Sequence, residues 1–188
     1  MIYIALLRGI NVGGHIVKME YLRKLFMELG FTGVRTYIQS GNVFFETAQA
    51  DRETLTGMIE QHLHLALGYK VPVFLRTIPE LEQILALDPF QHLNVTSDMR
   101  LCVVFTDETI PNTLALPLRS PKNDMEIIHT TDHEAFTVWY IINGRPPATY
   151  NFKVLGDKTT SRFFHTLAKI LQAARKGEQN EAPGGSML

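Results

Sequence analysis

Arg8-Gly9-Ile10-Asn11-Val12-Gly13-Gly14 places a guanidinium, an amide and three glycines directly after the apolar run Ile2 to Leu7. Those residue types suit an anion or polar-ligand site. Arg8 supplies charge, while Asn11 and exposed backbone N–H groups supply directed hydrogen bonds. Gly9, Gly13 and Gly14 let the backbone turn through positive φ. The outline Gly9-x4-Gly14 between a strand and a helix is that of a phosphate-cradling loop. However, His15-Ile16 stands where a nucleoside-triphosphate loop needs Lys followed by Ser or Thr, and there is no G-x-G-x-x-G. The ATPase and GTPase readings therefore fall away.

A second polar cluster is Tyr37-Ile38-Gln39-Ser40-Gly41-Asn42. Ser-Gly and Asn satisfy turn geometry on their own, so the cluster has functional weight only if the fold carries it to the first. A third stretch, Lys158-Thr159-Thr160-Ser161-Arg162, reads as the start of the last helix. Its free N–H groups, hydroxyls and Arg162 suit an anion, and an N-cap accounts equally well for Thr160 and Ser161. His62 and His64 are two apart on a helix and point apart, so they cannot share a metal. His129 and His133 flank a turn beside Asp132 and Glu134, a loose grouping of solvated residues. No paired carboxylates, Cys/His pair or Ser/His/Asp set stands out, and neither a metal nor a cofactor is expected.

The elements that must position these residues follow from periodicity. Ile2 to Leu7 is apolar on both faces and reads as a central strand. Lys18 to Leu29 is a helix with apolar residues at three- and four-residue steps, stopped by Gly30. Val34 to Gln39 and Asn42 to Glu46 form a hairpin about Ser40-Gly41. Asp51 to Leu67 is a helix closed by Gly68, and Val71 to Arg76 is a strand that Pro72 confines to an edge. The order β-α-β-β-α-β is the ferredoxin-like split βαβ pattern. It puts the loop after strand 1, the tip of the hairpin and Gly68-Tyr69-Lys70 at one end of the sheet.

The second half is less regular. Pro79 to Leu87 is a helix with Pro in its first turn, and Arg100 to Thr106 is a strand. A proline-broken stretch, Ile110 to Pro121, precedes a hairpin of Glu126 to Thr130 and Ala135 to Ile142. Tyr150 to Leu155 reads as a short helix, and Thr160 or Ser161 caps a last helix to about Arg175. The expected class is α+β: a ferredoxin-like subdomain (1–77) packed against a second, less regular β-α-β-β-α subdomain (78–175). A disordered tail occupies 176–188.

Composition narrows the class further. Hydrophobic residues are 45% and charged residues 20% of 188, with a net charge of −1, which suits a water-soluble globular chain without the basic footprint of a nucleic-acid binder. Arg8 interrupts the first apolar run far short of a membrane span. The single cysteine, Cys102, lies in an apolar strand, which points to a buried, inert thiol and the cytoplasm.

An alternative uses the sheet face. Ile2 to Leu7 and Gly41-Asn42-Val43-Phe44-Phe45 echo the two motifs of an RNA-recognition sheet, which stacks bases on exposed aromatics. That reading, for nucleic acid or a protein partner, requires Tyr3 or Phe44 to be exposed. A further alternative is structural, with Asn and Arg locking the loops through bonds to backbone.

Ala5 to Gly14, Met19 and Leu22, and Thr36 to Val43 resemble the bacterial domain-of-unknown-function 1697 family. Thr160-Ser161-Arg162-Phe163-Phe164-His165-Thr166 is similar to that family's Thr-Thr-Arg-Asn-Trp-Asn-Thr stretch, with Phe163 and His165 in place of its asparagines and Phe164 in place of its Trp. The resemblance implies a two-part α+β fold and a cytoplasmic bacterial protein, and no established activity. The expected site for a small polar or anionic molecule comprises Arg8, Asn11, Gly13, Gly14, Tyr37, Gln39, Ser40 and Asn42. Arg162 joins it if the last helix starts at that end.

Overall fold

The computed structural model describes residues 1–39, 41–147 and 151–179. Its elements run β1 (Ile2–Leu7), α1 (Met19–Glu28), β2 (Thr32–Tyr37), β3 (Asn42–Glu46), α2 (Arg52–Leu67), β4 (Val73–Thr77) and α3 (Ile78–Leu87). They continue as β5 (Met99–Thr106), β6 (Leu118–Arg119), β7 (Met125–Thr130), β8 (Glu134–Tyr140), a 3-10 turn (Lys153–Leu155), β9 (Thr159–Phe163) and α4 (Phe164–Gln179). The fold is α+β with two antiparallel sheets. The chain divides into two units, one of Met1–Glu82 with the chain from Ala168 on, the other Gln83–Leu167.

In the first unit the strand order is β2-β3-β1-β4, the ferredoxin-like arrangement. β1 is central, with Tyr3 opposite Phe45 and Leu6 opposite Asn42 on one side, and Ala5 opposite Leu75 on the other. Its alternate residues Tyr3, Ala5 and Leu7 face a core that also takes Leu22, Leu25 and Phe26 of α1 and Leu55, Ile59 and Leu63 of α2. Each such leucine or phenylalanine contributes about 1.5–3 kcal/mol by leaving water. Phe31 stacks on Phe45 at 4.4 Å between centroids.

The helix ends obey local rules. Asp51 caps α2 by accepting from the Thr54 N–H at 3.2 Å, and Gly68 closes it at φ +80°, its N–H bonded to the His64 carbonyl. At α3, Thr77 and Glu80 form a capping box: the Glu80 carboxylate accepts from the Thr77 N–H at 2.7 Å, and the Thr77 hydroxyl accepts from the Glu80 N–H at 3.4 Å. On the opposite sheet face, the Arg35 guanidinium lies 5.0 Å from the Phe44 ring centroid. It donates to the carbonyls of Ala173 and Ala174 in α4 at 2.8 and 3.1 Å.

The second unit repeats that strand order with different connections. Its sheet runs β6-β7-β8-β5-β9; without the two-residue β6, β7-β8-β5-β9 matches β2-β3-β1-β4 position for position. The crossover from β5 to β7 carries the proline-broken stretch and β6, and the described residues of the one from β8 to β9 include the 3-10 turn. Ile110, Met125, Ile127, Ala135, Phe152 and Leu155 fill one core there.

The expected β-α-β-β-α second half therefore needs correcting. Thr160 and Ser161 do not cap the last helix; they lie in β9, opposite Phe105 and Val104 of β5. Burial alternates along β9, with Thr160 and Arg162 inward, a two-residue period that helix formation replaces only at Phe164. The expected short helix reduces to Lys153–Leu155, and Tyr150 lies outside the described residues. Cys102 is buried in β5, and burial pushes its thiol up to about 12. Among the described residues no helix is long and apolar enough to cross a membrane, and no group of His, Cys, Asp and Glu could hold a metal ion.

Candidate functional site

Three loops of the first unit meet at one end of its sheet. The β1–α1 loop leaves Leu7, whose N–H donates to the Gly41 carbonyl of the β2–β3 loop at 2.8 Å. The next N–H, on Arg8, donates to the Pro72 carbonyl of the α2–β4 loop at 2.9 Å. These consecutive bonds tie the first loop to both others. Gly41, at φ +75°, lies so close that a Cβ there would sit 3.0 Å from the Ile10 Cβ and 3.1 Å from the Leu7 Cβ.

Asn11 is the clamp of this arrangement. It sits at φ +58°, a left-handed conformation that Asn tolerates better than most residues. Its Nδ2 donates to the Gln39 carbonyl at 2.9 Å, and its Oδ1 accepts from the Val17 N–H at 2.6 Å. One amide thus closes its own loop and holds the tip of the hairpin. The side chain is spent on backbone, which makes Asn11 a positioning residue.

The other expected site residues divide by exposure. Arg8, Gly13, Gly14 and Gln39 are exposed and Tyr37 half-buried. Ideal Cβ atoms at Gly9, Gly13 and Gly14 would meet nothing within 4 Å, so open space adjoins that stretch of backbone. Asn42 was expected to bind ligand and does not fit that role. It is 0% exposed and donates to the Tyr37 carbonyl at 3.1 Å; paired opposite Leu6, it lies on the same buried face of the sheet as that residue. Ser40 lies outside the described residues.

Arg162 was expected near the start of the last helix, as a member of the site if that helix starts at the loop end. It stands in β9, in the second unit, and the helix starts after it at Phe164. Its Nη1 donates to the Thr160 hydroxyl and the Ser161 carbonyl, and burial lowers its guanidinium to about 10.

Two residues join the site that residue types alone did not single out. The His15 ring stacks on Tyr69 at 3.9 Å between centroids and 24° between planes. The Tyr69 hydroxyl is buried without a hydrogen-bond partner among the described residues, and burial raises its pKa. The signal was present in the topology, which sends Gly68-Tyr69-Lys70 to this end. His15 registered only as a mismatch to a phosphate loop.

Electrostatically the three loops are one-sided. Arg8–Lys18, Tyr37–Gly41 and Gly68–Pro72 contain Arg8, Lys18, Lys70 and His15 and no Asp or Glu, in a chain of net charge −1. The sheet face offers no comparable feature. Tyr3 and Phe44 are 2% and 1% exposed, so neither is a platform for stacking a base.

A family model described as "Protein of unknown function (DUF1697)" matches residues 1–136. Among solved structures, a conserved bacterial protein from Streptococcus pneumoniae is similar at 21% identity and a TM-score of 0.65. The match covers 92% of this chain and 98% of that one, and it speaks for a shared fold. No curated protein matches the chain.

Proposed function

The chain belongs to the DUF1697 family of proteins of unknown function, and from that premise we propose that the loop end of its first unit binds a small anionic or polar molecule. The observation that carries this reading is the meeting of three carboxylate-free loops bearing Arg8, Lys18, Lys70 and His15. Asn11 holds the frame, so it costs the ligand little ordering entropy. Arg8 supplies the charge, and Gly13 and Gly14 present backbone that a ligand can approach closely. Tyr37 and Gln39 form the opposite wall, and Ser40 belongs to the same proposal by its place in the chain. A cytoplasmic location is part of the proposal and rests on the lone buried thiol of Cys102.

The test is a thermal-shift screen of nucleotides, sugar phosphates and carboxylates on the wild type and Arg8→Ala. A ligand at one hundred times its Kd stabilises the folded state by about 2.7 kcal/mol, a shift easily read. At least one anion should raise the wild-type midpoint and fail to raise that of Arg8→Ala. No shift with any class, or equal shifts in both proteins, would refute the proposal.

A further inference from the structure

The second unit carries a cleft of about 380 Å³, within the range of small-molecule sites. Its walls are apolar, from Val95, Leu101, Phe163 and Phe164, with Arg100 and His165 as polar members. Phe163, at the end of edge strand β9, is 41% exposed, and Val95 is 48% exposed. An isolated exposed phenylalanine is ordinary. This one is built into a stack: its ring lies parallel to that of His165, 9° apart with centroids at 5.7 Å. Trp139 meets it edge-on at 6.3 Å.

Arg100 is held just as deliberately. Its Nη1 donates to the carbonyls of Ser97 and Met99, both at 2.8 Å. Among the described residues its Nε and Nη2 make no hydrogen bond, so the fixed guanidinium retains donors for an anion. The neighbouring carboxylate, on Asp98, accepts from the Thr96 hydroxyl, and that bond together with the Arg100 charge holds its pKa below the usual value. α4 begins at Phe164, so the positive end of its dipole adjoins the same cleft.

We propose that this cleft is a second ligand site, taking a small planar aromatic molecule that bears an anionic group. The ring packs on Phe163 and the apolar wall, and the anion is received by Nε and Nη2 of Arg100. Aromatic carboxylates and nucleoside monophosphates share that chemistry.

Trp139 is the chain's one tryptophan and reports from beside Phe163. Its fluorescence is titrated with benzoate and with AMP, against benzamide, adenosine and cyclohexanecarboxylate as partners lacking either the charge or the aromatic ring. Saturation by benzoate alone assigns an aromatic acid, saturation by AMP alone a nucleotide, and both outcomes support the site. Binding should weaken at least about ten-fold for the three controls, and equally for Phe163→Ala and Arg100→Gln. Should Phe163→Ala melt early, Phe163→Leu keeps the apolar bulk and removes the π face, with the same loss expected. Arg8→Ala should leave the titration unchanged, which separates this site from the loop end. The proposal is overturned if neither anion saturates by about 10 mM, if the controls bind equally, if well-folded Phe163 and Arg100 variants keep wild-type affinity, or if Arg8→Ala abolishes the signal.

Discussion

Replacing Asn11 by Ala removes both ends of the clamp at once. The Val17 N–H loses an acceptor at 2.6 Å in a partly buried position, and the Gln39 carbonyl loses a donor at 2.9 Å. A hydrogen bond of this kind contributes about 0.5–1.5 kcal/mol, and a buried donor left unsatisfied costs about 1–3 kcal/mol. Alanine must also hold φ near +58°, which costs an L-residue roughly 1–2 kcal/mol. The expected loss for Asn11→Ala is about 2–4 kcal/mol, or roughly 4–16 °C in a chain of this size. Asn11→Gly loses the same bonds without the steric strain, so it should be more stable than Asn11→Ala by up to about 1 kcal/mol. Urea unfolding of the three proteins gives the ranking. Hydrogen exchange at the Val17 amide, which should lose protection in both variants, reports on the loop itself. Asn11→Ala within about 0.5 kcal/mol of wild type, or an unchanged Val17 amide, would refute the clamp.

Other expectations can be checked with the same methods. Gly41→Ala places a Cβ 3.0 Å from that of Ile10 at φ +75° and should cost about 2–4 kcal/mol from strain and overpacking together, read by denaturant midpoint. Burial pushes the Glu80 carboxyl up, but the Thr77 N–H, the Arg52 guanidinium and the Thr77 hydroxyl outweigh it and leave its pKa below the usual value. The stability it contributes is therefore present at neutral pH and lost as pH falls through that lowered pKa. Glu80→Gln should be less stable at pH 7 and show a flatter decline in acid melts. Cys102, with its thiol pushed up to about 12 by burial, should resist a disulfide reagent in the native protein and react once urea unfolds it.

Legibility in the sequence followed the range of the interaction. β1 at Ile2–Leu7 and β3 at Asn42–Glu46 fall where the apolar runs put them, because both are buried on both faces and need no distant information. β2 ends at Tyr37 and not at Gln39, since Ile38 turns to φ +51°, a conformation that a β-branched side chain resists and that its residue type does not announce. β9 was missed for a related reason. Thr-Thr-Ser-Arg-Phe carries a short, polar, edge-strand pattern that also suits a helix cap, and pairing with β5 some sixty residues earlier decides between them. The convergence of the loops was readable from strand order alone. The fates of the two asparagines were not, because residue type announces a donor and an acceptor but leaves the partner to the fold.

Arg35 reaches carbonyls 138 and 139 residues further along the chain. The strands of the first sheet end at Thr77, so on a ribosome adding about 5–20 residues per second they are made roughly 5–20 seconds before Ala173 and Ala174 exist. In that interval the sheet is without the α4 carbonyls that Arg35 meets in the finished chain. The Phe44 face waits with a cation already beside it and no helix to receive that cation. A guanidinium over an aromatic ring is well suited to the wait: it lets an apolar surface stay wet without inviting another strand or sheet, and then becomes the docking point for α4. The pair that looks like one late tertiary contact is, in the order of synthesis, two: its sheet half is made long before its helix half.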